Sequence, residues 1–226
     1  STLLASSAAS DVYKRQGINY MAHSDEAEKY SAAAFATKHE DAIYFSKRVT
    51  RAVPDGGPIE AHTDLVKKLD YECELAVVLG RDARDVPAGQ TRDYIFGYTI
   101  LNDVSARDVQ TAHKQWYFGK SLDGFTPIGP CIVTADAFAD YPPRLGIRSF
   151  VNGEKRQDSN TALQIFDIDH VIAELSQGMT LKAGTIIATG TPAGVGMGMD
   201  PPQFLKPGDV VRCEIEGIGT LTNPVE

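Results

Sequence analysis

The sequence has little that marks a disulfide-rich, membrane-spanning or nucleic-acid-binding protein. It contains 3 cysteines in 226 residues, and neither their number nor their spacing suits a disulfide framework or a zinc site. No apolar run approaches the ~20 residues that a membrane helix requires, and no run of Lys and Arg exceeds two residues. These absences predict a soluble, cytoplasmic protein whose partners are small molecules rather than nucleic acids or membranes.

Acidic residues outnumber basic ones, 30 against 22, which gives a formal net charge of −8. With 42% apolar and 23% charged positions, the composition is that of a globular chain and excludes an intrinsically disordered one. The acidic balance also argues against an anionic partner surface. At ~100 to 200 residues per domain the length suits one large domain or two small ones, and no interdomain linker is visible.

The cysteines, Cys73, Cys131 and Cys213, each lie inside an apolar stretch. Free cysteine is among the most buried residue types and packs as a small apolar side chain. We therefore predict that all three are buried, free thiols without chemistry, as suits a reducing compartment.

Residues 1–16 include the hexapeptide Asp11-Val12-Tyr13-Lys14-Arg15-Gln16, which resembles the translation of a transposon adapter used in preparing sequencing libraries. No positively charged region precedes Leu3-Leu4-Ala5, so the segment makes a poor signal peptide. We expect residues 1–16 to be non-native and to carry no function, with native residues missing upstream of Gly17.

Short β-prone runs dominate the chain, and two predicted helices interrupt them. Ser24 can cap a helix with Asp25 and Glu26 in its first turn and an Ala-rich body over residues 27–38, whose thin apolar stripe is typical of a lid. Residues 167–177 carry the stripe of a core helix. Without regular βαβ alternation, the pattern predicts an α+β fold with a β-rich core. The predicted strands cover residues 42–45, 71–79, 94–101, 130–134, 148–151, 185–189, 210–215 and 220–225.

Two glutamates stand two positions apart in the predicted strand 71–79. Strand alternation puts Glu72 and Glu74 on one face and Tyr71, Cys73 and Leu75 on the other. Carboxylates that point the same way repel one another unless a cation lies between them, and oxygen ligands alone suit Mg²⁺, Mn²⁺ or Ca²⁺ rather than zinc. The alternative is a half-exposed strand whose solvated face happens to carry two acids.

Further acids follow the next predicted strand, in the run Asn102-Asp103-Val104-Ser105-Ala106-Arg107-Asp108. Loops held by a sheet are where sites tend to lie, and consecutive strands are often neighbours. Asp103 or Asp108 could therefore join Glu72 and Glu74 as a third ligand, and spacing does not choose between them. Arg107 is either a clamp for a substrate carboxylate or an internal partner of Asp108.

A histidine and a glutamate share one face of the predicted lid helix. His23 and Glu26 are three positions apart, and a histidine oriented by a carboxylate can take a proton from water. The alternative is an exposed helix start with acids near the positive end of the helix dipole. Lys120 is typical of a solvated surface lysine. The glycine-rich segment 189–198 fails the context test for a nucleotide loop but could bring its backbone and Thr191 close to a small anion.

Taken together, these segments resemble the fumarylacetoacetate hydrolase family, in particular its acylpyruvate hydrolase and 2-oxo-diene-dioate isomerase branch, from about Gly17 to Val225. Each motif alone is weak, but eight in the same order are specific. They are Asn19-Tyr20 with His23 and Glu26, Phe45-Ser46-Lys47, Asp70-Tyr71-Glu72-Cys73-Glu74-Leu75-Ala76-Val77-Val78, Gly97-Tyr98-Thr99 with Asn102 to Asp108, Gly119-Lys120-Ser121, Pro127-Ile128-Gly129-Pro130, Val151-Asn152-Gly153-Glu154, and Thr189-Gly190-Thr191-Pro192-Ala193-Gly194-Val195-Gly196.

The resemblance implies a mixed β-sandwich roll, a single catalytic domain over residues 17–226, and a homodimer. It implies a divalent metal, Mg²⁺ or Mn²⁺ with Ca²⁺ as a further candidate, held by Glu72, Glu74 and Asp103. It also implies that a lid closes over the substrate, and that this lid is longer here than in short-lid versions. The implied catalytic residues are His23, Glu26 and Lys120, and the implied substrate contacts are Tyr20, Lys47, Arg107, Gln110 and Thr191.

The implied reaction is metal-dependent hydrolysis of the carbon–carbon bond of a 2,4-dioxo acid, of the acylpyruvate or fumarylpyruvate type, with release of pyruvate. The His23–Glu26 pair activates water, the metal polarises the 2-oxo group and Lys120 stabilises developing charge. The same parts serve oxaloacetate decarboxylation or tautomerisation, and isomerisation or hydration of 2-oxo-dienoates in aromatic compound catabolism. The sequence does not separate these reactions. A non-catalytic ligand-binding member is the alternative of another class, but a binder would not need His23, Glu26 and Lys120.

Overall fold

The computed structural model describes residues 13–35, 40–113 and 115–226. The helices are α1 (Met21–Phe35), α2 (Arg107–Ala112), α3 (Tyr117–Lys120) and α4 (Ile168–Ser176). The strands are β1 (Tyr13–Gly17), β2 (Ile43–Ser46), β3 (Leu69–Asp70), β4 (Cys73–Leu79), β5 (Ile95–Asn102), β6 (Ser105–Ala106), β7 (Ile128–Thr134), β8 (Gly146–Val151), β9 (Glu154–Asn160), β10 (Ile186–Ala188), β11 (Val210–Ile215) and β12 (Gly219–Pro224).

Two sheets form the body of the fold. The larger has six strands in the order β2-β1-β10-β4-β5-β7, and all its pairings are antiparallel except that of β1 with β10. The smaller has the order β12-β11-β8-β9 and is antiparallel throughout, and β3 and β6 form a separate two-stranded ribbon. The predicted α+β class with a β-rich core is confirmed.

The core lies between the two sheets. Leu75 of β4 and Ile100 of β5 belong to the same buried cluster as Ile147 of β8 and Val211 of β11. The amphipathic α4 adds Ile172 to this cluster, as the predicted apolar stripe of the second helix requires. The side chain of its cap residue Asp167 accepts a hydrogen bond from the His170 amide. Burial of apolar side chains from both sheets holds the sandwich together.

The lid helix differs from its prediction at its start. α1 begins at Met21, because the Ser24 amide already donates to the Tyr20 carbonyl at 2.9 Å in the i to i−4 pattern of a helix. Ser24 is therefore inside the helix and does not cap it. The helical backbone is broken at Ser31, which has φ −160° and ψ 93°. The predicted end of the helix, at residue 38, lies outside the described residues.

Strand β1 uses part of the segment that we expected to carry no function. Residues 14 to 16 pair with β2 on one side, and residues 13 to 15 pair with β10 on the other. The backbone of residues 13–16 therefore supplies an interior strand of the larger sheet. The non-native origin of residues 1–16 and the domain boundary at Gly17 stay predictions.

No helix among the described residues is long and apolar enough to cross a membrane.

The three cysteines are free, but they do not share one environment. Cys73 and Cys213 are buried, whereas Cys131 is exposed, so its predicted burial is wrong. Cys131 lies on β7, the edge strand of the larger sheet, in a stretch from Pro130 to Ile132 whose side chains are all exposed. An apolar run can thus mark a sheet edge as well as a core.

We expect a thiol reagent to modify one cysteine in the native protein, because burial raises the pKa of Cys73 well above its usual value and keeps the reagent away from Cys213. Titration with a chromogenic disulfide should give one group per chain before denaturation and three after it. The Cys131→Ser variant should give none before denaturation. Rapid native labelling of that variant would contradict the assignment.

Candidate active site

Three carboxylates meet where β4 and β5 lie side by side. Glu72 precedes β4, Glu74 is its second residue, and Asp103 directly follows β5. The register pairs Cys73 with Asn102, and the Asp103 amide donates to the Glu72 carbonyl at 2.8 Å. One oxygen from each of the three carboxylates lies within 4.8 Å of the others.

All three carboxylates are buried, Glu72 at 5%, Glu74 at 1% and Asp103 at 0% exposure. The alternative of a solvated strand face is therefore wrong. Buried carboxylates need hydrogen-bond donors or cations, because their desolvation is otherwise too costly. Glu74 accepts a hydrogen bond from the Gly190 amide at 2.8 Å, which ties the triad to the glycine-rich segment.

Lys120, the last residue of α3, is buried at 2% exposure. The prediction of a solvated surface lysine is therefore wrong. Its ammonium donates to Glu72 Oε2 and to Asp103 Oδ2, both at 2.8 Å. Its Nζ also lies 5.4 Å from the centroid of the Phe45 ring. Lys120 is therefore held between two members of the triad and an aromatic face.

Lys47 is fully buried and lies behind the triad. Its ammonium donates to Asp103 Oδ1 at 2.7 Å and to the Phe125 carbonyl at 2.5 Å. These bonds fix the orientation of the Asp103 carboxylate. Lys47 was expected to contact the substrate, but it does not line the cavity described below. It instead supports the triad through its hydrogen bond to Asp103.

Arg107, the first residue of α2, joins the triad to a fourth buried acid. Its Nε donates to Asp70 Oδ2 at 2.9 Å, and its Nη1 lies 2.6 Å from Glu72 Oε1. The alternative of an Arg107–Asp108 pair is wrong, because an Asp108 oxygen instead accepts the Lys67 amide at 2.8 Å. Among the described residues, Arg107 Nη2 has no hydrogen-bond partner.

These cations set the protonation of the cluster. Burial alone would raise the pKa of Glu72, but Lys120 and Arg107 outweigh it, so the pKa of this carboxyl lies below its usual value. Burial likewise opposes the charge on Arg107, but Glu72 and Asp70 raise its pKa above the usual value. Both groups are therefore charged at neutral pH.

The lid helix brings His23 to the cavity, and Glu26 lies beside it on the same helix. His23 is buried at 4% exposure, and its Nδ1 lies 3.5 Å from Glu26 Oε2 without a well-formed hydrogen bond. Both oxygens of Glu26 instead accept the Gly194 amide, at 2.9 and 3.1 Å. Glu26 thus fastens the lid to the glycine-rich segment.

Of the other expected substrate contacts, Gln110 and Thr191 line the cavity but are hydrogen-bonded to protein groups. Gln110 Oε1 accepts from Arg107 at 3.2 Å. The Thr191 hydroxyl donates to the Cys73 carbonyl at 2.9 Å and accepts from Gln157 at 2.7 Å. Tyr20 is buried beside Glu74, does not line the cavity, and has its pKa raised by burial.

A small cavity of about 20 Å³ lies at the centre of these groups, enough for roughly one water molecule. Its lining falls into two parts. The polar part consists of His23, Glu72, Glu74, Arg107, Gln110, Lys120, Gly190 and Thr191, and the apolar part of Gly17, Ile18, Phe35, Phe45, Trp116 and Met197. This volume is smaller than that of an organic acid, so binding of a substrate requires the lining side chains or the lid to move.

Two positioning residues escaped the sequence analysis. Asp70 accepts hydrogen bonds from the Gly196 amide at 2.7 Å and the Met197 amide at 3.0 Å as well as from Arg107. Gln157 accepts from the Cys73 amide at 3.2 Å while donating to Thr191. Asp70 belongs to a motif already quoted for the family resemblance, whereas Gln157 lies in a polar strand with no local sign of burial.

The β-sandwich thus carries a buried carboxylate triad, flanking cations and a histidine on its lid. Such a cluster of buried titratable groups beside a cavity is typical of an enzyme active site. The chain belongs to the fumarylacetoacetate hydrolase family, because the sequence model described as Fumarylacetoacetate (FAA) hydrolase C-terminal matches residues 14–226. The family resemblance inferred from the motifs is confirmed.

Solved structures similar to this chain have the same fold. A fumarylacetoacetate hydrolase from psychrophilic Exiguobacterium antarcticum is 45% identical with a TM-score of 0.85, covering 95% of this chain and 74% of that one. A 2-hydroxyhepta-2,4-diene-1,7-dioate isomerase from Mycobacterium marinum is 40% identical with a TM-score of 0.77, covering 94% and 73%. The family therefore includes both hydrolases and isomerases by name.

Among curated proteins, the oxaloacetate tautomerase YisK of Bacillus subtilis is 43% identical over 209 residues, which is 92% of this chain and 67% of that protein. An uncharacterized protein of Staphylococcus epidermidis is 46% identical over 195 residues, covering 85% of this chain and 64% of that protein. The chain thus spans about two thirds of the length of these relatives.

Proposed function

We propose that this protein acts on a small 2-oxo acid with the help of a divalent metal, and that it catalyses proton transfer at the carbon beside the oxo group. Keto–enol tautomerisation of a 2-oxodicarboxylate such as oxaloacetate is the simplest such reaction. The observation that carries the proposal is the convergence of Glu72, Glu74, His23, Arg107 and Lys120 on one small cavity. Asp103 lies beside it and completes the carboxylate triad. The similarity to a named tautomerase and to named isomerases supports it.

The triad suits a hard divalent cation. Its donors are carboxylate oxygens alone, they lie within 4.8 Å of one another, and all are buried, which is the donor chemistry of Mg²⁺ or Mn²⁺ and, with more ligands, of Ca²⁺. Held by Glu72, Glu74 and Asp103, the ion would polarise the oxo group of the acid and so favour loss of a proton from the neighbouring carbon.

The remaining groups have roles that follow from their positions. Arg107 lines the cavity with Nη2 available, so it can bind a carboxylate or carbonyl oxygen of the substrate. His23 is the group that takes or returns the proton, because it lines the cavity from the lid and an imidazole nitrogen can accept and donate a proton. Lys120 places positive charge beside the triad, where negative charge develops on the substrate.

Hydrolysis of a 2,4-dioxo acid is the second candidate, and the His23–Glu26 contact of 3.5 Å favours it. A water nucleophile needs a base oriented by a partner. Here, however, both Glu26 oxygens accept the Gly194 amide, so the pair is not aligned for that task with the lid in this position. We therefore rank tautomerisation first. A place in aromatic compound catabolism would follow only from a 2-oxo-dienoate substrate.

The decisive experiment compares three reactions of the purified protein with Mg²⁺, with Mn²⁺ and with chelator. The enol-to-keto conversion of oxaloacetate is followed by ultraviolet absorbance, its decarboxylation by pyruvate release, and acylpyruvate cleavage by loss of the dioxo chromophore. We expect metal-dependent tautomerisation to have the highest kcat/KM. A higher value for acylpyruvate cleavage would make hydrolysis the function, and no turnover of any substrate would favour a ligand-binding role.

Replacing His23 by Ala is expected to lower kcat for tautomerisation by about 10²- to 10⁴-fold, the usual contribution of a general acid–base group. Decarboxylation, which needs polarisation but no base, should fall much less. His170→Ala is the matched control, because His170 also faces a glutamate on its own helix, Glu174 at 3.3 Å, but is exposed and does not line the cavity. Equal losses in both reactions would mean that His23 only positions the lid.

We also propose that the protein is a homodimer, as the family resemblance implies. Phe96 of β5 and Ile132 of β7 are 50% and 40% exposed, and large exposed apolar side chains on neighbouring strands are the kind that subunit contacts cover. Light scattering of the purified protein at micromolar concentration measures the mass, which should be twice the 24.5 kDa of one chain.

A further inference from the structure

We propose that Trp116 limits the length of the substrate, so that the site takes short 2-oxo acids and rejects those with long or aromatic tails. This inference rests on the proposed function, because it assumes that the acid head binds at the triad. It concerns the opposite, apolar part of the cavity, which no catalytic role assigned above explains.

The apolar part of the cavity is an aromatic wall, defined here as Phe35, Phe45 and Trp116. The Trp116 ring is the centre of the wall, since its centroid lies 5.4 Å from that of Phe45 and 5.9 Å from that of Phe35. All three rings line the cavity. A substrate tail that extends away from the triad in this direction therefore meets aromatic rings that pack edge-on or tilted against one another.

The wall begins directly beyond the charged groups. Phe45 lies 5.4 Å from Lys120 Nζ, and the same Nζ is 2.8 Å from Glu72 and from Asp103. Only the Lys120 ammonium group therefore separates Glu72 and Asp103 from the Phe45 ring of the wall. Once the site has opened for the acid head, a tail of only a few carbons would end before the wall, whereas a longer tail would run into the rings.

Trp116 is backed on one side by the Gly17 backbone, which restricts its movement. A Cβ built on Gly17 would overlap Trp116 Cζ3, so the indole packs directly against the backbone at the end of β1. Two of the three rings are also independent of the lid. Phe45 lies in β2 of the larger sheet, and Trp116 directly precedes α3, so opening of α1 removes only Phe35.

A purely structural tryptophan would behave differently from a size limit. Loss of its packing would lower the stability of the protein and reduce the affinity for every ligand by the same factor. Loss of a size limit changes the ratio of affinities between long and short ligands, because a ligand group that the ring excluded gains room. One methylene group in an apolar pocket typically changes discrimination by roughly 10- to 200-fold, so this ratio is measurable.

The test measures binding of oxamate, N-propyloxamate, N-hexyloxamate and N-benzyloxamate by calorimetry in the presence of Mg²⁺. These compounds carry the 2-oxo acid head, differ only in the tail and are not turned over. For the wild-type protein we expect affinity to fall as the tail lengthens. For Trp116→Ala we expect the affinity for the hexyl and benzyl compounds to rise at least tenfold, with oxamate affinity changed less than threefold.

Tyr117→Ala is the matched control, because Tyr117 is the next residue, is 47% exposed and does not line the cavity. Its length profile should equal that of the wild type. Trp116→Leu keeps an apolar side chain and serves if Trp116→Ala does not fold, with an intermediate gain expected. An unchanged length profile in the Trp116 variants, with normal oxamate binding, overturns the size limit alone. Failure of oxamate to bind the wild-type protein overturns the proposed function, and the size limit with it.

Discussion

Replacing Glu74 by Gln is expected to abolish activity and metal-induced stabilisation together. Glutamine keeps the size of the side chain and can still accept the Gly190 amide, which Glu74 accepts at 2.8 Å, so the fold should persist. It removes the anionic oxygen that a hard divalent ion needs. In the wild type, an ion present at 100 times its dissociation constant should add about 2.7 kcal/mol to the free energy of unfolding.

Calorimetric titration of Mg²⁺ and Mn²⁺ into both proteins, beside melting curves with metal and with chelator, measures both effects. Glu154→Gln is the matched control, because Glu154 is also a strand glutamate but is exposed, and its curves should match those of the wild type. Without metal, the melting temperature of Glu74→Gln should be close to that of the wild type. If Glu74→Gln kept wild-type metal affinity, the triad would not be the metal site.

Replacing Arg107 by Met is expected to lower the free energy of unfolding by about 3–5 kcal/mol, the usual cost of removing one partner from a buried ion pair. Arg107 and Asp70 are both essentially fully buried, and Nε donates to Asp70 at 2.9 Å. Methionine has a similar length but leaves Asp70 and Glu72 without this cation. Urea denaturation at neutral pH measures the loss.

Arg81→Met is the control, because the Arg81–Asp93 pair is exposed and its atoms lie 3.8 Å apart. Exposed pairs contribute about 0–1 kcal/mol, so this variant should unfold close to the wild type. A loss below about 1 kcal/mol for Arg107→Met would show that the buried cluster relaxes around the missing charge.

The Arg107→Met variant should also change how the free energy of unfolding depends on pH in acid. Because the pKa of Glu72 is lowered in the folded protein from an ordinary value of 4.5, its contribution is present above that value and is lost as the pH falls through the lower folded pKa. Arg107 is one of the groups that lower it. The stability of Arg107→Met should therefore fall less steeply than that of the wild type below about pH 4.5, in urea titrations at a series of pH values.

The sequence predicts most of the triad, because two local rules act there. Alternation along β4 puts Glu72 and Glu74 on the face opposite Cys73, and the pairing of β4 with β5 brings Asp103 to them. Alternation alone could not show that both faces are buried, which depends on what packs against the strand. The choice of Asp103 over Asp108 came from the family resemblance and not from spacing.

The cations around the triad could not be predicted in the same way. Lys47 bonds Asp103 across 56 positions and Arg107 bonds Asp70 across 37, and such long-range pairs leave no periodic mark in the sequence. Lys120 looks like a surface residue because lysine is rarely buried without partners. Its partners become visible only when α3 is placed beside β5.

Short elements were missed for a related reason. Helices α2 and α3 have 6 and 4 residues, too few for an apolar stripe to be distinguished from chance. Strand β9 has the polar sequence EKRQDSN, and its partner β8 supplies the apolar face of the sheet. The helices and strands that carry a clear pattern, α4 and β11 among them, lie where the sequence predicts them.

The fastening of the lid to the glycine-rich segment also bears on how the chain folds. Glu26 and the Gly194 amide are separated by 168 positions, and Asp70 and the Gly196 amide by 126. Contacts between distant parts of a chain close large loops, which slows the rate at which a β-rich protein reaches its native state. The cavity therefore forms only when these distant segments have come together. On refolding from urea, the ability to bind ligand should return in the slowest phase, together with the sheets.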